Sequence, residues 1–222
     1  MACRWALLLS LCLAGCSGTA PFHLAPAVVA AGPSATPASL AEPVRLWQDA
    51  SIFDLVGGMI GSARHRVLVE MYELGRPDLV RALGAAAARG VAVRVITDPT
   101  VKASRRSAAV LDALGVAERA YPVDDSLHQI DHVKLLITDD RAAVGGMNWG
   151  AHSDRNHDFV LETQVPVEIA RLSMIFDQDW NLAGGRPAPL PAAAGEIAQT
   201  TPSEEIRAML ETALDRSRHL AL

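Results

Sequence analysis

The sequence predicts an α/β fold for residues 45–184, an α/β/α sandwich around a mixed, largely parallel central sheet. Three observations lead to this prediction. Segments rich in β-branched residues alternate with segments whose apolar residues recur at helical spacing. Helices that alternate with strands in this way cover both faces of a sheet. One pair of strands is separated only by Asp139, Asp140 and Arg141, which predicts a hairpin and therefore a mixed sheet.

The predicted elements begin with a helix. Five apolar residues between Ile52 and Ile60 recur at helical spacing and share one face. Two further helices have recognisable ends, since Gly90 is a typical stop and Pro166 a typical start. The remaining segments are assigned from β-branched and aromatic content or from helical period. In chain order, strands are predicted at 66–74, 91–99, 116–122, 132–139, 142–147 and 157–165, and helices at 77–90, 103–115 and 166–180.

Composition is typical of a globular protein with one substantial core. The chain has 222 residues, half of them hydrophobic, and a formal net charge of -5. This balance provides no broad basic surface for nucleic acid, although it is compatible with a small basic cleft. Lysine is scarce, because only Lys102 and Lys134 are lysines among the 20 basic residues. A compact ammonium at Lys134 is therefore unusual for this chain, and it suits contact with a phosphate oxygen.

Residues 1–15 have the pattern of an export signal. One cation, Arg4, precedes an apolar run that is too short to span a bilayer. The run ends in Leu-Ala-Gly-Cys, which resembles the bacterial lipobox and predicts cleavage before Cys16 and lipidation of that cysteine. The alternative is an ordinary signal peptide with an incidental cysteine.

Residues 16–44 predict a flexible tether behind the lipidated cysteine. They are rich in Ala, Pro, Gly and Ser and show no sustained period. We expect an exported protein, anchored by lipid to the bacterial cell membrane or outer membrane, with its domain on the periplasmic or extracellular face. Cys3 and Cys12 would leave with the signal, so Cys16 would have no partner for an intrachain disulfide.

His132 and Lys134 occur in an otherwise apolar strand. Alternation places both on one face of the strand, with Leu136 and Thr138. Burying a charge without a partner is costly. A pair of this kind alone therefore fits a half-exposed edge strand with two solvated polar residues. The residues that follow favour a functional interpretation.

The polar residues of this region form a three-part motif. It resembles the signature of the phospholipase D superfamily, whose usual form is H-x-K-x4-D, then G-[GS]-x-N, then N-x-E. Asp158 stands where many members have Glu, which shortens the reach of the carboxylate by one methylene. The resemblance covers roughly residues 46–184 and implies the α/β fold of that superfamily. The matching residues are His132, Lys134 and Asp139, then Gly145, Gly146 and Asn148, then Ser153, Asn156 and Asp158.

The resemblance implies phosphodiester transfer through a phosphohistidine, with no metal and no other cofactor. One histidine attacks phosphorus and a second protonates the leaving oxygen. His132 would be the nucleophile or the acid, and Asp158 would hold its far nitrogen, with Glu162 as the fallback. Asp139 belongs to the catalytic motif, but its place at a hairpin turn predicts a mainly structural role. The expected phosphate-binding residues are Lys134, Asn148, Ser153 and Asn156.

One motif copy supplies only half of such a site. A homodimer would bring a second His-x-Lys, as in the small nucleases of the superfamily. Alternatively, residues 206–222 repeat the pattern of residues 52–68 at a constant offset of 154. Residues 204–222 would then begin a truncated second repeat, after a linker at 185–203. A chance similarity between amphipathic helices is the alternative.

Three functions are compatible with these observations. The first is a phospholipase D-like phosphodiesterase or phosphatidyltransferase acting on phospholipids at the bacterial envelope, close to the cardiolipin synthases. The second is a homodimeric secreted endonuclease, which the small size and single motif favour and the acidic balance disfavours. The third is a non-catalytic envelope lipoprotein that binds anions or a partner.

Overall fold

A computed structural model describes residues 44–186 and 204–216. Seven strands form one sheet in the order β1-β7-β6-β5-β2-β3-β4. Five helices accompany it in the described ranges. The strands are β1 (Val44–Gln48), β2 (Arg66–Met71), β3 (Ala92–Thr97), β4 (Ala117–Ala120), β5 (Lys134–Ile137), β6 (Ala142–Gly145) and β7 (Phe159–Thr163). The helices are α1 (Ser51–Ser62), α2 (Pro77–Ala88), α3 (Lys102–Ala113), α4 (Pro166–Ala183) and α5 (Glu204–Arg216).

The α/β class and the mixed sheet are confirmed, but the sheet is not largely parallel. Only β2 with β3 and β3 with β4 pair in parallel, because α2 and α3 return the chain across the sheet between them. The other four pairings are antiparallel. A tight hairpin joins β5 to β6, and β7 follows β6 without a crossover helix, so these neighbours are antiparallel. The pairings of β1 with β7 and of β2 with β5 join strands that are distant in the chain.

The edge strand β1 was missed by the sequence prediction. It pairs antiparallel with β7, with Leu46 opposite Leu161. Four of its five residues are exposed, so it lacks the buried alternation that identifies a strand. The strand predicted from residue 132 also begins later than expected. His132 lies in the loop before β5, and Lys134 is the first residue of that strand.

Apolar side chains pack on both faces of the sheet. The predicted face of α1, from Ile52 to Ile60, is buried. It shares one core with apolar residues of α2 and α3 and with Leu136 of the sheet. The opposite face, which includes Leu135, packs against α4. Because β5 is buried on both faces and central in the strand order, the loop before it has a rigid support.

Several predicted segments lie outside the described residues. These are the signal peptide, Cys16, all but the last residue of the tether, most of the 185–203 linker, and residues 217–222. A helix, α5, occupies Glu204–Arg216, while its origin as a second repeat stays a prediction. None of the helices described is long and apolar enough to cross a membrane.

Candidate active site

The candidate site lies at the edge of the sheet where β2 and β3 end and β5 begins. Parallel strands end at the same edge, and β5 runs opposite to β2, so the loop before β5 meets the loop after β2. The backbone N–H of Tyr72 donates to the carbonyl of Val133 at 2.9 Å. The loop after β6 joins them, because the Trp149 N–H donates to the carbonyl of Glu73 at 2.9 Å. Three loops are therefore fixed to one another by backbone hydrogen bonds.

The imidazole of His132 is exposed at this edge. Its ring packs edge-on against Tyr72, with 4.7 Å between the ring centroids. Partial burial and the nearby ammonium of Lys134 lower the pKa of His132 below its usual range, against an opposing effect of Asp98. A lowered pKa keeps the imidazole neutral at pH 7. The neutral form is the one that attacks as a nucleophile.

The ammonium of Lys134 lies on the same aromatic ring. Its side chain is only 5% exposed, its Nζ is 4.9 Å from the centroid of the Tyr72 ring, and it donates to the carbonyl of His132 at 2.9 Å. Burial lowers the pKa of Lys134, while the carboxylates of Asp131, Asp158 and Glu73 act in the opposite direction. The imidazole and the ammonium therefore both contact one aromatic ring at this edge of the sheet.

The two motif glycines bring β6 and β7 close together beside this pair. A Cβ on Gly145 would lie 2.2 Å from the carbonyl oxygen of Phe159, and one on Gly146 would lie 2.2 Å from Oδ1 of Asp158. A side chain at either position would displace backbone or carboxylate. Asp158 accepts a hydrogen bond from the Phe159 N–H at 2.8 Å. In the described part of the chain no hydrogen bond joins Asp158 to His132, so its role as orienter of the imidazole stays a prediction.

The residues expected to bind phosphate occupy different environments. Asn148 is half-buried, and its Oδ1 is buried without a hydrogen-bond partner among the described residues. Ser153 is buried, and its hydroxyl accepts from the Gly150 N–H at 3.0 Å, which fixes the loop after β6. Asn156 is exposed at the end of the short 3-10 turn Ser153–Arg155. The orphaned Asn148 oxygen is an acceptor, so a phosphate contact would need the amide NH₂ group, and phosphate binding by Asn148 stays a prediction. Ser153 has a structural contact.

Asp139 lies apart from the other residues of the motif. It lies seven residues beyond His132, past the far end of β5, roughly 20 Å away at the rise of a strand. Its carboxylate accepts hydrogen bonds from the backbone N–H groups of Arg64, His65 and Arg66 at 2.8, 3.1 and 2.8 Å. Partial burial raises the pKa of Asp139, but these three hydrogen bonds outweigh it and lower the pKa. Asp139 therefore fixes the connection between α1 and β2 and does not reach the site.

Glu162 is also removed from the site by its partners. It is 1% exposed and accepts from Arg141 and from the indole N–H of Trp47, at 2.7 and 2.8 Å. It lies level with Ala143 and Leu136, in the middle of the sheet. It is therefore not available as a fallback partner for His132.

Three residues that the motif search missed shape the site. Tyr72 contacts both functional groups, while Asp98 and Asp131 are buried beside the loop that carries His132. Desolvation raises the pKa of Asp131 to about 6, with Asp98 adding to the rise. The one signal that could have identified Asp98 is its position directly after β3, at the edge where parallel strands end.

A groove of about 390 Å³ opens next to the site, between α2 and α3. Glu73 and Ala151 border it on the side of the site loops, and much of its wall is apolar. Arg81 from α2 and Arg106 from α3 line it, and both are exposed. The groove therefore combines an apolar wall with two cations and the carboxyl of Glu73.

The site therefore places an imidazole and a buried ammonium against one aromatic ring, at one edge of a mixed α/β sheet. The family model for the cardiolipin synthase, PLD-like domain matches residues 57–180, more than half of the chain, so the chain belongs to this phospholipase D-like family. Members of the superfamily are phosphodiesterases and phosphotransferases. Among curated proteins no match was found.

Solved structures have the same fold. Nuc, a phospholipase D family member from Salmonella typhimurium, is 23% identical, with 63% of this chain and 94% of that chain covered and a TM-score of 0.56. NucT from Helicobacter pylori is 21% identical, with 62% and 95% covered and a TM-score of 0.56. Phosphatidylserine synthase from Haemophilus influenzae is 14% identical, with 82% and 46% covered and a TM-score of 0.53.

Proposed function

We propose that this chain is a phospholipase D-like phosphodiesterase or phosphatidyltransferase that acts on phospholipids at the bacterial envelope through a phosphohistidine. The observation that carries the proposal is the pairing of His132 with Lys134 around the Tyr72 ring. The lowered pKa of His132 provides a neutral nucleophile, and the ammonium of Lys134 offsets charge on the phosphate oxygens as the transition state forms.

The reaction proceeds in two balanced steps. In the first, an imidazole nitrogen attacks phosphorus, the bond from phosphorus to the leaving oxygen breaks, and a second histidine donates its proton to that oxygen. In the second step, water or an alcohol attacks phosphorus and gives its proton to the second histidine, while the phosphorus–nitrogen bond breaks. His132 supplies one of these two imidazoles, as nucleophile or as acid.

The second imidazole comes from another copy of the motif, in a homodimer or in a missing second half. An exposed apolar surface, formed on one sheet face by Leu46, Val144, Phe159 and Leu161, supports such a partner, since each of these side chains is at least 37% exposed. Helix α4 packs on β3, β4 and β5 and leaves this part of the face to solvent. An apolar sheet face of this kind is a candidate for a second lobe.

A lipid substrate is supported by three observations and by one prediction from the sequence. The description of the matching family names cardiolipin synthase. The net charge of -5 does not favour nucleic acid. The predicted lipidation of Cys16 would hold the domain at a membrane. The groove lined by Arg81 and Arg106 would take an anionic, partly apolar portion of the substrate. A homodimeric secreted endonuclease is the second candidate, favoured by the small size and the single motif.

The experiment that tests the proposal measures the oligomeric mass of purified residues 17–222 alongside hydrolysis of bis(p-nitrophenyl) phosphate and of anionic phospholipid vesicles. An active dimer that prefers the lipid supports the proposal, whereas preference for single-stranded or duplex DNA favours the endonuclease. An inactive monomer points to a missing half, and inorganic phosphate must then still shift the imidazole NMR signals of His132. Absence of that shift would contradict a phosphate site.

A further inference from the structure

Asp98 is a fully buried carboxylate directly behind the site. It follows β3 and has no exposed surface. Its Oδ1 accepts from the backbone N–H of Thr100 at 2.6 Å and from the hydroxyl of the same residue. Its Oδ2 accepts from the backbone N–H of Asp131 at 2.6 Å. Three donors converge on one carboxylate, and charge-assisted hydrogen bonds of this length are among the strongest in proteins.

Asp131, which donates this hydrogen bond to Asp98, immediately precedes His132. The same short segment has further anchors. Oδ1 of Asp131 accepts from the Val133 N–H at 3.2 Å, and the Val133 carbonyl accepts from the Tyr72 N–H at 2.9 Å. The carbonyl of His132 accepts from Nζ of Lys134 at 2.9 Å. The backbone that carries the imidazole is therefore held at consecutive residues, and Asp98 ties it to the end of β3.

The charges around the imidazole identify Asp98 a second time. Burial and Lys134 lower the pKa of His132, and Asp98 is the carboxylate that opposes them. Asp158, which the motif assigns to this role, acts instead on the charge of Lys134. The carboxyl of Asp131 also interacts with two further carboxyls.

Those two further carboxyls come from the other elements packed against Asp131. Burial raises the pKa of Glu70 on β2, and Asp131 and Asp179 add to the rise. Burial also raises the pKa of Asp179 on α4 to about 7, with Asp131 adding to it. Both act behind Asp131, on the α4 side of the sheet. Asp98 is thus the acidic group of this cluster that bears on the imidazole itself.

We propose that Asp98 is the positioning residue of His132: it fixes the loop that carries the imidazole and places a negative charge behind the ring. This inference rests on the proposed phosphohistidine chemistry. The attacking imidazole gains positive charge as its bond to phosphorus forms, and an imidazole that serves as the acid must hold its proton before transfer. A buried carboxylate at a fixed position stabilises both forms.

The test is an NMR titration of the His132 imidazole in the full chain, in wild type, in Asp98→Asn and in the matched control Asp158→Asn. We expect Asp98→Asn to lower the pKa of His132 below the wild-type value. In Asp158→Asn the pKa of His132 should stay higher than in Asp98→Asn. A pKa of His132 that is unchanged in Asp98→Asn, or that falls only in Asp158→Asn, would overturn the proposal. Asp98→Glu keeps the charge and should restore most of the wild-type pKa.

Kinetics and a measurement on the unsubstituted protein complete the test. Asp98→Asn should lower kcat for bis(p-nitrophenyl) phosphate on the order of 100-fold with little change in KM, since misplacing a catalytic group by about 1 Å has an effect of this size. In wild type the Asp131 amide proton should resonate far downfield and exchange slowly. An ordinary, rapidly exchanging amide would refute the hydrogen bond even if Asp98→Asn fails to fold. If no protein turns over, the titration with inorganic phosphate decides on the proposed function, and the pKa and amide-exchange results decide separately on Asp98.

Discussion

Replacing Asp139 by Ala separates a structural role from a catalytic one at a residue that belongs to the motif by sequence. The change removes three hydrogen bonds from backbone N–H groups to one carboxylate. The amides of Arg64 and His65 are in exposed places, where water replaces the carboxylate, so each loss costs about 0.5 kcal/mol. The half-buried amide of Arg66 loses a charge-assisted bond at a cost of about 1.5 kcal/mol. Asp139→Ala should therefore reduce the free energy of unfolding by about 2.5 kcal/mol.

The assay combines chemical denaturation, thermal melting and kinetics. A loss of this size should lower Tm by roughly 5–10 °C in a domain of this length. Asp139→Asn is the matched control, because its amide oxygen can still accept from one or two of the three donors and should lose only part of the stability. Below the transition, kcat/KM of both variants should stay within about threefold of wild type, since Asp139 lies roughly 20 Å from His132. Unchanged stability, or a folded Asp139→Ala with activity reduced by more than about tenfold, would refute the structural assignment.

Three further predictions follow from the charges of the site. Burial raises the pKa of Asp131 to about 6 from an unfolded value near 3.9, so its contribution to stability is complete below about pH 4 and is lost as pH rises through 6. On going from pH 8 to pH 5, this group alone adds about 1.4 kcal/mol to the free energy of unfolding. Glu70→Gln removes a carboxyl that interacts with Asp131, so it should flatten the dependence of the free energy of unfolding on pH, measured by urea denaturation. When His132 is the nucleophile, its lowered pKa predicts that kcat/KM rises with pH along a limb whose midpoint is below 6.5, and a rising limb with a midpoint above 6.5 would contradict the site described. Arg81→Gln combined with Arg106→Gln should raise KM for anionic lipid vesicles roughly 3- to 10-fold and leave bis(p-nitrophenyl) phosphate unaffected, whereas equal effects on both substrates would remove the groove from substrate binding.

The elements of the fold follow from local pattern, but their arrangement does not. The helical spacing of apolar residues in α1 is visible in the sequence because α1 buries one face. The run of β-branched residues in β2 is visible because β2 is buried on both faces. The exposed edge strand β1 has no such pattern, and its partner β7 is more than 100 residues away. Strand direction depends on the connections between strands, which is why the predicted, largely parallel sheet proved mostly antiparallel.

The candidate site shows the same division between local and distant information. Spacing alone predicts His132 and Lys134 as a pair, although only Lys134 lies on the strand and His132 lies in the loop before it. It also grouped Asp139 with them, although seven residues of extended chain carry that carboxylate to the opposite edge of the sheet. Asp98 could not be found this way, because it reaches the His132 loop from 33 residues upstream. A single aspartate after a strand is usually a turn residue, and only the fold shows what it contacts.

The most direct test of the account is hydrolysis of bis(p-nitrophenyl) phosphate by purified residues 17–222 and by His132→Asn, compared at the same oligomeric mass. His132→Asn should lower turnover by about 1,000-fold or more while the protein stays folded, because the phosphohistidine mechanism needs this imidazole as nucleophile or as acid. Acid-quenched wild-type protein should also carry a phosphoryl group that His132→Asn lacks when His132 is the nucleophile. Turnover by a folded His132→Asn within about tenfold of wild type would contradict the phosphohistidine site.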